Sequence, residues 1–164
     1  CFNFDGVKSL IIYLIIYLVM NISVFSFILM MKRKDEYCES ISDLAGLYKD
    51  RPFYAILISL SMFSLAGIPP LAGFFGKFYI FMSAIKNDLY LLAIVGILAS
   101  VVSAFYYLRI VKIIYFEEPS EKFDEFNSSS LNLLFFISSA IVILFFIYPS
   151  PIINIGNYAA NTFF

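Results

Sequence analysis

The chain has 164 residues, 62% hydrophobic and 14% charged, with a net charge of -1 and no histidine. A soluble domain is about half apolar and about a quarter charged; here the excess lies in unbroken apolar runs long enough to cross a bilayer. No basic stripe argues for nucleic acid, and histidine-based metal or nucleophilic catalysis is excluded. Cys1 and Cys38, one at the start and one in a charged segment, imply neither a disulfide framework nor a metal site.

The first residue is Cys rather than Met, and no basic leader with a small-residue cleavage site precedes the first apolar run. The chain thus reads as a fragment, a processed product or the back part of something longer. Abundant Phe, Tyr, Ile, Lys and Asn, with no Trp, suggest an AT-rich organellar or endosymbiotic genome.

Four apolar segments follow in chain order, at 9–31, 53–85, 89–116 and 131–148. Backbone polar groups in lipid must be satisfied internally, so each reads as a helix; the short alternating segments of a barrel are absent. The expected fold is an all-α integral membrane domain covering 1–164, with four transmembrane segments. The second is too long for one span: as a single helix it would reach roughly 50 Å across a core about 30 Å thick. It is interrupted at "AGIPP", where proline removes a donor and clashes with the preceding turn. Residues Gly67, Pro69, Pro70 and Gly73 mark the break. Two half-helices are expected, 52–66 and 70–85, with Pro70 in the first turn of the second.

The connections are polar. Residues 32–52 begin densely charged and then place Ile41, Leu44, Ala45 and Tyr48 at helical spacing, which predicts a short interfacial helix with Asp43 as its cap. Residues 117–130 form an acidic, turn-rich loop containing the sequon Asn127-Ser-Ser, on a side where glycosylation is not expected. Four spans put these two connections on one side with eight Lys and Arg, against Lys8 and Lys86 on the other. The positive-inside rule places 32–52 and 117–130 on the cytoplasmic or matrix side and both termini opposite. Arg109 and Lys112 snorkel to the inner interface. The tail after Pro149 and Pro151, with Tyr158, Phe163 and Phe164, suits an outer interfacial belt.

Lys77 is the residue that asks for chemistry. It lies nine residues before Lys86, about 13 Å along a helix, near mid-membrane. An ammonium there costs on the order of 2.5–3.5 kcal/mol, and such groups face a protein interior or a water-filled cavity. Desolvation favours the neutral amine, which suits taking up and releasing a proton. Half-helix ends expose backbone groups that can hold water or polar partners. Ser64 on the first half, and Ser103 and Tyr106 on the third segment, could extend a hydrated path, as could Ser59, Ser61 and Ser100. Each of these also has a plainer reading: an ion-pair lysine, a packing kink, and hydroxyls that join helices. Asn21, Ser23 and Ser26 read as such joints.

The run "RPFYAILISLSMFSLAGIPPLAGFFGKFYIF" at 51–81 resembles the signature of NADH dehydrogenase subunit 2, the N-type antiporter-like membrane subunit of respiratory complex I. The likeness extends to "ISDLAGLYKDRP", "VVSAFYYLRIVKIIYF" and "LFFIYPSP", and so covers nearly the whole chain. The resemblance implies an inverted-repeat fold of which this is the C-terminal portion, with 53–85 as its second broken helix. It implies that Lys77 is a proton relay toward the outward half-channel of a proton-pumping NADH:ubiquinone oxidoreductase. It places FMN, iron–sulfur clusters and ubiquinone in other subunits, with no redox chemistry, cofactor or metal in this chain. The partners implied are other membrane-arm subunits, lipids, and a separate chain supplying the N-terminal helices. The mitochondrial inner membrane is the expected location, with a bacterial plasma membrane as the alternative. A cation/proton antiporter subunit and a purely structural membrane-arm fragment are the competing functions.

Overall fold

The computed structural model describes residues 3–34, 36–118, 122–126 and 128–163. Cys1, Asn127 and Phe164 lie outside them. Helix α1, Phe4–Met30, runs through the middle of the bundle and packs against four other helices. Asn3 caps it: its side-chain oxygen accepts from Gly6 N–H at 2.8 Å, satisfying one of the orphan donors of the first turn. Its buried face carries Ser9, Ile12, Ile16, Met20, Ser23 and Phe27, at helical spacing. Leu10, Leu14, Leu18, Phe25 and Leu29 are exposed on the other side.

The polar connection that follows is built from short pieces. Two-residue strands β1 (Lys32–Arg33) and β2 (Glu36–Tyr37) pair antiparallel, then a 3-10 turn covers Ile41–Leu44 and helix α2 covers Leu47–Asp50. The single interfacial helix expected here is therefore divided, because Gly46 adopts φ 69° between the two turns. Asp43 is not the cap; it sits inside the turn, and its carboxylate reaches back to accept from Ser40 N–H at 2.9 Å. The acidic loop is pinned onto this connection by Asp124 N–H to the Lys32 carbonyl at 3.0 Å and Phe123 N–H to the Asp50 carboxylate at 3.1 Å.

Helix α3, Pro52–Ala66, starts with proline in its first turn, where a missing donor costs nothing. It ends at Gly67, whose φ of +90° is the left-handed conformation that closes helices. The amides of Gly67 and Ile68 both return to the Phe63 carbonyl. Helix α4, Ala72–Lys86, begins two residues after Pro70, so Pro70 lies in the linker and not in the first turn. Helix α5 spans Tyr90–Phe116 and α6 spans Ser129–Leu144.

The tail differs from the sequence reading. Segment 131–148 loses its helix at Leu144, and residues Ser150–Asn161 form a further helix, α7. Pro151 falls in the first turn of α7, where proline starts a helix instead of ending one. α7 packs on the start of α1, with Gly156 against Ile12 and the Lys8 carbonyl. The bundle is held by a serine junction: Ser23 of α1 bonds Ser61 of α3 at 2.9 Å and Ser139 of α6 at 2.8 Å. Toward the polar connections, Phe27, Tyr54, Phe126 and Phe135 pack with ring centroids between 4.8 and 6.5 Å.

Candidate functional site

Where one helix ends and another begins, carbonyls at the end of the first and amides at the start of the second lack intrahelical partners. Between α3 and α4 two side chains meet these needs. Lys77, one turn into α4, folds back over Gly67 and donates from Nζ to the Leu65 carbonyl at 2.9 Å and the Ala66 carbonyl at 3.4 Å. Ser64, near the end of α3, accepts from Gly73 N–H at 2.9 Å and donates to Met20 Sδ at 3.1 Å. The ammonium thus sits at the negative end of α3, where carbonyl dipoles favour a cation.

Both glycines of the site are there for space. A Cβ on Gly67 would stand 3.3 Å from Lys77 Cδ, in a backbone conformation that side chains rarely adopt. A Cβ on Gly73 would overlap the Ser64 carbonyl. Pro69 and Pro70 are exposed in the linker and touch neither group of hydrogen bonds.

Lys77 borders two cavities of different character. One, of about 410 Å³, is apolar and lies between α4 and α5, walled by Phe74, Phe78, Phe81, Met82, Ile97 and Val101. The other, of about 230 Å³, lies between α1 and α5 and gathers Tyr13, Tyr17, Ser100, Ser103 and Tyr107 around Lys77. Ser100 also borders both. Of the polar residues singled out in the sequence, Ser103 lines the second cavity with Lys77. Ser64 is fully buried and ties α3 to α4 and α1. Tyr106 is 58% exposed and lines neither; its neighbour Tyr107 does. The tyrosines of α1 were not picked out from sequence, although Tyr13 and Tyr17 stand four apart, the spacing that puts two side chains on one helix face.

Among the described residues a mostly helical bundle carries two helices of 27 residues that are long and apolar enough to cross a bilayer, with a lysine seated on the last carbonyls of α3, as an α-helical membrane protein would. Comparison with known proteins agrees. Residues 1–103 match the family model described as NADH:quinone oxidoreductase/Mrp antiporter, TM. The chain is 55% identical over 149 residues to the NADH-quinone oxidoreductase subunit N of Parvibaculum lavamentivorans, covering 91% of this chain and 31% of that protein. It is 48% identical over 159 residues to the subunit of the same name from Paramagnetospirillum magneticum, covering 97% and 33%. Among solved structures it superposes on a chain of respiratory complex I from Thermus thermophilus with bound aureothin, with a TM-score of 0.76 and 22% identity over 91% of this chain and 34% of that one, a likeness of fold. The chain belongs to the NADH:quinone oxidoreductase/Mrp antiporter transmembrane family. It spans about a third of the length of the curated relatives it matches.

Proposed function

We propose that this chain contributes part of a proton-translocation path in the membrane arm of a proton-pumping NADH:quinone oxidoreductase, with Lys77 as the group that takes up and releases the proton. The observation that carries this reading is the seat of Lys77 on the Leu65 and Ala66 carbonyls between a polar and an apolar cavity. On the carbonyls an ammonium is paired. Moved into the apolar slot it would lose those partners, and an unpaired ammonium there must give up its proton. A small swing of one side chain thus couples position to charge.

In this reading α3 and α4 are the two halves of one discontinuous span among four, and the polar connections face the cytoplasm or matrix. The relay serves the outward half of the path. Electron transfer to quinone, with its flavin and iron–sulfur groups, occurs in other subunits. The remaining helices of an antiporter-like subunit, in the same polypeptide or another, complete the path. The membrane is a respiratory one, mitochondrial inner or bacterial plasma.

The test is the proton-to-electron ratio of assembled complexes in sealed vesicles. Lys77→Ala is expected to lower it several-fold, and Lys77→Glu, which keeps a protonatable group, to lower it less. Lys77→Ala complexes that assemble and pump at the parental ratio would remove the relay. Transport that depends on sodium or potassium would favour an antiporter over a pump.

A further inference from the structure

The cavity between α1 and α5 has a feature that the relay reading does not require. Three phenols line it, Tyr13 and Tyr17 from α1 and Tyr107 from α5. Tyr13 and Tyr17 stack at 5.8 Å between ring centroids. Among the described residues, none of the three hydroxyls has a hydrogen-bond partner. Ser100 and Ser103 have each turned to carbonyls of their own helix, Gly96 at 2.9 Å and Ala99 at 3.0 Å, and leave their oxygens with lone pairs to accept. Tyr17 is 41% exposed, at the open side of the cavity; hydroxyls without partners are costly in lipid, whereas a polar cavity offering several donors and acceptors holds water. A volume of about 230 Å³ has room for several waters, each occupying about 30 Å³ in the liquid.

We infer that Tyr13, Tyr17 and Tyr107 are positioning residues whose hydroxyls hold a cluster of water against Lys77, so that the lysine meets water on the α1–α5 side and a dry wall on the α4–α5 side. This deepens the relay reading by naming the groups that bring protons to its amine. Covalent chemistry is not involved: a proton passes from water to the amine, leaving hydroxide that the cluster neutralises from its far end. Ser103 and Ala104 are adjacent on α5, one lining the wet cavity and the other the dry slot, which supplies an internal comparison.

The experiment compares Ser103→Cys with Ala104→Cys in the assembled protein in its native membrane, with Cys1 and Cys38 replaced by serine. A small neutral maleimide reaches either position through lipid, but it reacts with the thiolate, which forms where water is present. Ser103→Cys is expected to react at least tenfold faster than Ala104→Cys. Adding Tyr13→Phe, Tyr17→Phe and Tyr107→Phe, which keep the rings and remove the hydroxyls, should bring the two rates together and lower the proton-to-electron ratio. Tyr106→Phe, outside the cavity, should change neither. Equal rates at the two positions overturn the water cluster, as they would if neighbouring helices filled the space. A fast Ser103→Cys indifferent to the loss of all three hydroxyls overturns the role of the tyrosines. The first comparison needs no tyrosine variant and stands if the triple variant fails to assemble. Fast labelling of Ser103→Cys alongside normal pumping by Lys77→Ala would remove the relay and leave the water cluster in place.

Discussion

At Gly73 the α3 and α4 backbones come so close that a single methyl group would occupy the place of the Ser64 carbonyl. Backbone cannot yield as a flexible side chain does, so Gly73→Ala must push the half-helices apart and break the Ser64 bond to the Gly73 amide. It should destabilise by about 3 kcal/mol or more, read as a lowered midpoint of thermal unfolding in detergent and poor assembly. Gly67→Ala meets only the movable Lys77 chain, and its cost is the left-handed backbone, about 1–2 kcal/mol. Ser64→Ala would leave a buried amide unpaired, at about 1–3 kcal/mol. At this scale the sequence led us to expect the break and Lys77 to act together, because glycine, proline and a charge are each conspicuous in an apolar run, and Lys77 Nζ does lie on the Leu65 and Ala66 carbonyls at the end of α3. It did not show that Ser64 accepts from the Gly73 amide in the first turn of α4. Nor did it separate Tyr107 from Tyr106: α5 is apolar nearly all round, so no polar stripe fixes its rotation, and one residue is a turn of 100°.

Elements are joined here by hydroxyls as much as by packing. Ser23 bridges three helices through two bonds. In membranes each such bond is worth about 0.6 kcal/mol on average, so Ser23→Ala should cost roughly 1 kcal/mol and Ser139→Ala about half that, by the same unfolding measurement. The joint role expected for Ser23 from its place in an apolar run is the role it has. The α7 helix was missed for a physical reason: Pro149 and Pro151 look like terminators, yet proline at a helix start is favourable, and the close approach of Gly156 to Ile12 that seats this helix is a tertiary contact. The β1–β2 connection carries a further prediction. Burial first, and then the carboxylates of Asp43 and Asp124, push the Cys38 thiol above its ordinary range, with Arg33 pulling back. Alkylation of Cys38 in a Cys1→Ser background should therefore lag behind a free thiol near pH 8, and its half-maximal rate should fall at higher pH. Asp43→Asn should move that midpoint down, since it removes a charge that opposes the thiolate.

The molecule as a whole is lopsided. α1 packs against four helices along one face, while α5 is almost bare along its N-terminal half. The two faces of α5 are not alike. One carries Ser100, Ser103 and Tyr107 toward Lys77. At 100° per residue the opposite face carries Val95, Leu98, Val102 and Phe105, each more than half exposed. None of these four has a side-chain polar atom, so lipid satisfies them fully. The open rim of the tyrosine cavity, with three hydroxyls unpaired among the described residues, cannot face acyl chains at comparable cost. The related subunits are about three times as long, and in the proposed path the rim is the face that further helices would cover. A carbene reagent dissolved in the acyl phase of the assembled complex should label Leu98, Val102 and Phe105 and spare Ser103 and Tyr107. Labelling of the tyrosine rim as strong as that of the back face would mean that lipid closes the cavity, and the path beside Lys77 would then be dry.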